Sequence, residues 1–215
     1  MHALRILIAD DHSVVRAGLR TLLESRSAWE VCAEAADGHE ALEKATKLKP
    51  DVAVLDIGMP LLNGVEATRQ IRLASPSTEV LILTMHESDD LVQQVIQAGA
   101  RGYILKDDAD RVLLAAVDAV SQHKSYFSTR VSAVAGDSPV TPVPAAKASR
   151  ARLTPREREI LQLLAEGKAN KEVAQLLHIA VNTAEAHRAN IMLKLGLHSL
   201  AELVHYAIRN QIIKP

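Results

Sequence analysis

Val52-Ala53-Val54-Leu55-Asp56, followed by Ile57-Gly58-Met59-Pro60, is the stretch on which the fold turns. Four apolar residues rich in β-branched side chains read as a strand buried on both faces, as in a parallel sheet. The strand ends on a carboxylate ahead of a Gly/Pro turn. In open α/β sheets, ligands bind beyond the carboxyl ends of the strands, which puts Asp56 where such folds do their chemistry. An acidic residue that merely closes a strand would look the same, so the rest of the chain must decide.

The same strand–helix unit recurs on both sides. Leu4 to Ala9 is a short apolar run ending on Asp10-Asp11. Ser13 reads as a helix N-cap, and Val14, Val15, Leu19, Leu22 and Leu23 recur at helical spacing. Further strands are expected at 29–35, 79–84 and 102–105, and helices at 38–48, 64–73, 88–97 and 108–122. Five β/α units predict a doubly wound, five-stranded parallel sheet with helices on both faces.

Polar residues then fall together at strand ends: Asp10 and Asp11, Asp56, Thr84 and Lys106. Adjacent strands lie ~5 Å apart, so these groups converge if their strands are neighbours. Three carboxylates in one pocket repel one another unless a cation compensates, and hard oxygen ligands suit Mg2+. The lysine adds a second positive charge and the threonine a hydroxyl. Together they would serve a phosphoryl group, with a carboxylate nucleophile and cations on the developing charge.

On these residues, 1–125 resembles the receiver domain of two-component response regulators, a flavodoxin-like fold. The matching motifs are Asp10-Asp11, Asp56 in Asp-Ile-Gly-Met-Pro, Asn63-Gly64, Thr84 and Lys106, with Tyr103 in Gly-Tyr-Ile-Leu-Lys at the position of the switch aromatic. The resemblance implies that Asp56 takes a phosphoryl group from a phosphohistidine on a sensor histidine kinase. It implies direct Mg2+ binding by Asp11, Asp56 and the backbone carbonyl of Gly58, with Asp10 helping through water. Lys106 and Thr84 would hold the phosphoryl oxygens. On phosphorylation Thr84 would move toward the phosphate and Tyr103 turn inward, remodelling the surface around 88–97 and 102–122. Met85 is bulkier than the small residue many receivers carry there, and is expected to narrow access to Asp56. His12, beside the acid pair, is expected to start the first helix rather than bind metal.

Composition agrees with an intracellular regulator. The 215 residues allow one or two domains, and the 48% hydrophobic content includes no run near the ~18–20 residues of a membrane span. No basic-then-apolar leader is seen, so a cytoplasmic protein without a membrane association is expected. The one cysteine, Cys32, lies in an apolar run, is expected to be buried, and leaves no partner for a disulfide or a Cys-based zinc site. The net charge of −1 hides an asymmetry: from Arg150 onward ten Lys/Arg face six Asp/Glu, against fifteen and twenty before it. A basic rear on an acidic front points weakly to nucleic acid for the rear.

Pro139, Pro142 and Pro144 sit among Ala, Ser, Thr and Val, so 126–150 reads as a flexible linker. Beyond it, 151–215 reads as a small all-α unit of four helices. Thr154-Pro155-Arg156-Glu157 starts the first, with Thr at the N-cap, Pro at N1 and Glu at N3. Ile160, Leu161, Leu163, Leu164 and Ala165 form its buried side, and Gly167 closes it. The others are expected at 170–177, with Val173, Ala174, Leu176 and Leu177 inward, and at 182–195 and 199–208. Four short helices with a positive balance fit a helix-turn-helix.

The wording of this part resembles the LuxR-type output domain, through Leu-Thr-Pro-Arg-Glu-Arg-Glu-Ile-Leu at 153–161, Glu166-Gly167-Lys168, Asn170-Lys171-Glu172-Val173-Ala174, His187-Arg188-Ala189-Asn190-Ile191 and Lys194-Leu195-Gly196-Leu197. With the receiver in front, the chain is similar to the NarL/FixJ subfamily of response regulators. That implies a recognition helix at 182–195, with Glu185, Ala186 and Ala189 facing bases and Lys171, Thr183, Arg188 and Lys194 near phosphates. The chain departs from the family at His178, where Gly is usual in the turn, and at Ala180, where Ser is usual before the recognition helix. Ala184 and Ala186 replace the usual Val and Thr. Ala186 and Ala189 can offer only methyl groups to bases, and Glu185 repels phosphate. Affinity of one domain for double-stranded promoter DNA should then be weak, and a homodimer formed on phosphorylation would compensate. A haloacid-dehalogenase-like phosphatase needs a second carboxylate two residues after its nucleophile, where this chain has Gly58, so no enzyme is expected. The remaining alternative is a receiver that acts by protein–protein contact, with an output domain that no longer binds DNA.

Overall fold

Strands and helices alternate along the first unit of the computed structural model, which describes residues 3–85, 89–127 and 153–213. They are β1 (Leu4–Ala9), α1 (Ser13–Glu24), β2 (Trp29–Ala35), α2 (Gly38–Leu48), β3 (Val52–Asp56), α3 (Gly64–Ala74), β4 (Glu79–Thr84), α4 (Asp89–Ala98), β5 (Gly102–Leu105), a 3₁₀ turn at Lys106–Asp108, α5 (Ala109–Ser121) and β6 (Tyr126–Phe127). The second unit holds α6 (Pro155–Ala165), α7 (Asn170–Leu176), α8 (Val181–Leu195) and α9 (Leu200–Arg209). The chain divides into these units at Met1–Asp137 and Ser138–Pro215.

The sheet is parallel, in the order β2-β1-β3-β4-β5-β6. All five residues of β3 and all six of β4 are buried, as central strands covered on both faces must be. One apolar layer packs α2, α3 and α4 on the sheet, through Ala41, Ala45, Ile71, Leu91 and Val95. The other packs α1 and α5, through Leu19, Leu23, Leu113, Val117 and Val120. The chain therefore folds as the doubly wound α/β unit expected, and β6 extends it. Tyr126 and Phe127 were expected in the linker, but the Tyr126 amide donates to the Arg101 carbonyl at 3.0 Å and the pair aligns with Gly102 and Tyr103. Two residues are too few to show a period of their own, so only their aromatic β preference could have marked them. The rest of the expected linker from 128, and Ser88 at the expected start of the fourth helix, lie outside the described residues.

Helix starts follow local chemistry. Asp37 accepts from the Glu40 amide at α2, Asn63 from the Glu66 amide at α3, and Ser199 from the Glu202 amide at α9. At α1 the expected N-cap shifts by one: His12 holds that position and Ser13 is the first helical residue. Asp10 Oδ1 accepts the His12 amide at 2.9 Å and so fixes His12 as the entry to the helix, while His12 itself makes no side-chain cap bond. Cys32 is half-buried rather than buried, with Sγ 3.4 Å from the Ile6 carbonyl.

In the second unit α6 begins with the expected capping box. Thr154 accepts from the Glu157 amide while Glu157 accepts from the Thr154 amide, and Pro155 stands at N1. Its buried side is as expected, and Gly167 follows it with φ +85°. Val173, Ala174 and Leu177 point inward from α7, but Leu176 is 42% exposed. With seven residues, α7 makes two turns and has one narrow buried stripe, which Leu176 falls outside.

Candidate functional site

The site is set by register. β1 and β3 are neighbours with Ala9 opposite Leu55, which brings Asp10 level with Asp56 just past the carboxyl ends of the strands. β2 lies on the other side of β1, so the crevice between β1 and β3 is where the strand order reverses. Thr84 ends β4, and Lys106 follows its β5 partner Leu105.

Asp10 is fully buried, and Asp56 and Thr84 are 2% and 4% exposed. The Lys106 ammonium lies between the two carboxylates, 2.5 Å from Asp10 Oδ2 and 3.1 Å from Asp56 Oδ1. Asp11 is at the surface. His12 Nδ1 stands 2.8 Å from Asp11 Oδ1 and 3.2 Å from Asp10 Oδ1, so Asp10, Asp11 and His12 each bring a potential ligand atom within 4.8 Å of the others. Asp10 is also held from behind: Arg16 donates to its backbone carbonyl at 2.7 Å and to Glu34 at 3.3 Å.

Asp10 and Asp56 against the Lys106 ammonium leave a formal charge of −1, and Asp11, beside Asp10 at the surface, adds a third carboxylate to these hard oxygen donors. A divalent cation such as Mg2+ matches both the charge and the donors.

The loop that carries Asp56 is clamped by two glycines. A Cβ on Gly64 would lie 2.2 Å from the Asp56 carbonyl oxygen, and one on Gly38 would lie 1.9 Å from the Leu62 carbonyl oxygen. No side chain fits at either position, so the starts of α2 and α3 press directly on the backbone of 56–62. Between them Leu62 donates to the Pro60 carbonyl at 2.7 Å across Leu61, whose φ is +65°. This is the rare, strained form of γ-turn, and such strain gathers at functional sites. Buried Ile57, Met59 and Leu62 hold the loop down. Gly58, expected to offer a carbonyl, is half-buried within it. Sequence reasoning found Asn63-Gly64 but missed Gly38, Leu61 and Arg16. Gly38 starts a helix, and its contact with residue 62 has no local signature.

Tyr103 is fully buried, in the apolar layer with Leu91, Val92 and Val95 of α4. The ring is inward in this structure. Met85, directly after Thr84, is 57% exposed.

In the second unit Lys171, Thr183, Glu185, Ala186 and Ala189 are all exposed, and Arg188 is half-buried. At ~100° per residue, Glu185, Ala186 and Ala189 share the face of α8 opposite buried Ala184 and Ile191. Ala180 holds the N-cap of α8 and makes no side-chain cap bond, the consequence expected of losing serine there. His178 has φ +52°, which explains why glycine suits that turn. Lys194, expected near a phosphate, is paired within the unit. Its ammonium is 2.7 Å and 2.8 Å from the two carboxylate oxygens of Glu157, which is 4% exposed. Burial pushes the Glu157 carboxyl up, but hydrogen bonds from Lys194 and Thr154 outweigh it and hold it below its ordinary value.

Two family matches divide the chain as its units do. Residues 6–118 match the response regulator receiver domain, and residues 151–207 match the bacterial regulatory proteins of the luxR family. The oxygen regulatory protein NreC of Staphylococcus epidermidis is 40% identical over 217 residues, covering 98% of this chain and all of that protein. A LuxR-family two-component response regulator from Aurantimonas is 36% identical with a TM-score of 0.58, over 61% of this chain and 94% of its own. The response regulator RcsB in complex with DNA is 28% identical with a TM-score of 0.57, over 95% of this chain and 98% of its own. Among the described residues no helix is long and apolar enough to cross a membrane.

Proposed function

The chain belongs to the response regulators that join a receiver domain to a luxR-type DNA-binding domain, and from that premise we propose that Asp56 is its phosphoacceptor. The family consists of regulators of transcription, not enzymes. The observation that carries the proposal is the Lys106 ammonium, just past the end of β5, set between Asp10 and Asp56 at the ends of the neighbouring β1 and β3. An Asp56 oxygen attacks the phosphorus of a phosphohistidine on a sensor histidine kinase. The P–N bond breaks, its electron pair stays on the imidazole, and an acyl phosphate forms. Asp10, Asp11, Asp56 and the Gly58 carbonyl would hold Mg2+, which offsets charge on the phosphoryl oxygens when bound. Lys106 donates to one phosphoryl oxygen and the Thr84 hydroxyl to another.

The output is a population shift: a phosphoryl group biases only states it contacts differently. Thr84 follows the phosphate, the pocket left behind keeps Tyr103 inward, and the surface of α4, β5 and α5 changes with it. Dimerisation through that change would place two copies of α8 on a repeated half-site in promoter DNA. Glu185, Ala186 and Ala189 face the bases, while Lys171, Thr183 and Arg188 meet phosphates. Asp56 as acceptor in the first unit and DNA binding by the second divide the labour, all in the cytoplasm.

The test is selection of binding sites from a random duplex library, with and without Mg2+ and acetyl phosphate, using Asp56→Asn as control. Enrichment of a two-half-site motif only with the donor, and not with Asp56→Asn, is expected. Enrichment regardless of donor would refute phosphorylation control. No enrichment under any condition would favour the rival, a receiver acting by protein contact.

A further inference from the structure

The third helix of the output unit is thinly packed. Of the fifteen residues of α8, two are buried, Ala184 and Ile191, and they lie on one line seven residues apart. Beside that line His187, Arg188, Met192 and Leu195 are half-buried, so packing limits the roll of the helix without fixing it. A polar anchor off the line completes the setting of the face that the helix presents.

The first turn of α6 supplies it. Glu157 is buried and takes the Lys194 ammonium on both oxygens, at 2.7 Å and 2.8 Å. One of those oxygens also accepts the Thr154 amide at 2.8 Å, so the carboxylate is itself fixed by the helix cap. The neighbouring Arg156 donates to the Leu177 carbonyl at the end of α7, at 2.6 Å, and to Glu159 at 2.7 Å. One turn of α6 thus grips the ends of both helices of the helix-turn-helix. Lys194 lies about 80° around α8 from the Ala184–Ile191 line, on the opposite flank from Glu185. Pulling on it turns Glu185, Ala186 and Ala189 together.

We propose that Lys194 and Glu157 are positioning residues for DNA recognition: the pair sets the roll of α8, and Lys194 reads no phosphate itself. This rests on the proposal that the second unit binds DNA, and it reassigns Lys194 within it. The sign of one substitution separates the two roles. If Lys194 met a phosphate, Glu157→Gln would free it, remove a negative charge and tighten binding. As a positioning pair, Glu157→Gln must weaken binding although the protein becomes more positive. Gln keeps a carbonyl oxygen for the Thr154 amide, so the helix start survives.

The full chain, phosphorylated with acetyl phosphate, is titrated by fluorescence anisotropy against the duplex selected above, at several salt concentrations. Glu157→Gln and Lys194→Met are each expected to weaken binding by roughly fivefold or more, the least that losing one good base contact costs. Lys194→Arg, which can still fork onto Glu157, should bind within about twofold of the parent. The slope of log Kd against log salt should be unchanged in Lys194→Met and fall by ~0.9 in Lys171→Met, a side chain expected at a phosphate. In the absence of DNA, the backbone amide resonances of Glu185, Ala186 and Ala189 should shift in Lys194→Met. Tighter binding by Glu157→Gln, a reduced salt slope in Lys194→Met, or unshifted amides would overturn the proposal. If the parent chain selects no duplex, DNA binding itself fails, and the amide shifts still decide whether Lys194 sets the helix.

Discussion

Gly64→Ala should damage the fold of the first unit and the site with it, and its size can be worked from the contacts. The new Cβ would sit 2.2 Å from the Asp56 carbonyl oxygen and 2.9 Å from its carbon. Relief needs a withdrawal of roughly 1 Å, since such contacts settle well beyond 3 Å. That motion stretches the bond from the Gly64 amide to the Ile57 carbonyl, now 2.9 Å, out of hydrogen-bonding range. Overpacking costs about 1–3 kcal/mol and the lost bond about 0.5–1.5 kcal/mol. Alanine returns up to about 1 kcal/mol through the smaller entropy of its unfolded chain. The net is a loss of roughly 0.5–4.5 kcal/mol, against the ~5–15 kcal/mol that holds a typical domain. Gly18→Ala is the matched control: Gly18 lies inside α1 with nothing within 4 Å of its missing Cβ, so the same change should stabilise by about 0.5–1 kcal/mol. Trp29, the one tryptophan, begins β2 and reports unfolding of this unit alone in urea. Opposite shifts of the urea midpoint at equal slope are expected. A Gly64→Ala protein as stable as the parent would refute the clamp on the Asp56 loop.

Two further outcomes follow from caps and buried charge. Ala180→Ser restores an oxygen at the N-cap of α8, where the backbone is already extended, and should add ~1 kcal/mol, read as a rise of about 4–8 °C in the calorimetric transition of the second unit. Glu79, 4% exposed at the start of β4, is pushed up by burial but held net below its ordinary 4.5 by Arg101, His123 and Arg72. As pH falls below 4.5 the unfolded chain takes up this proton first, so the stabilisation present above that value is lost as pH drops through the depressed one. Glu79→Gln should flatten the acid limb of the Trp29 urea midpoint against pH, and an unchanged limb would refute the assignment.

What the sequence made legible is what repeats or sits at an element end. The apolar runs predicted five strands and their order of appearance, and Asp10, Asp56, Thr84 and Lys106 stood out because each closes a strand. The capping box at Thr154 was readable because its partners lie three residues apart. The features missed depend on pairs remote in sequence. Gly38 meets Leu62, Arg16 reaches the Asp10 carbonyl and Glu34, and Lys194 finds Glu157 thirty-seven positions away. The resemblance to the family implies Lys194 near phosphate, and its pairing with a glutamate so far away in sequence leaves no local mark. Leu176 reads as inward in the sequence because a two-turn helix gives too few positions to separate its stripe from its flank.

The thin packing of α8 also bears on how such regulators diverge. Ala184 and Ile191, flanked by half-buried Met192 and Leu195, face the interior of the unit, whereas Glu185, Ala186 and Ala189 are exposed and can be exchanged at little cost to folding. Under the proposed recognition role of that face, variation there would alter which promoters a copy reads while the receiver, and hence the signal, stays the same. After a gene duplication, a new regulon could be acquired within a single turn of helix, through intermediates that all still fold.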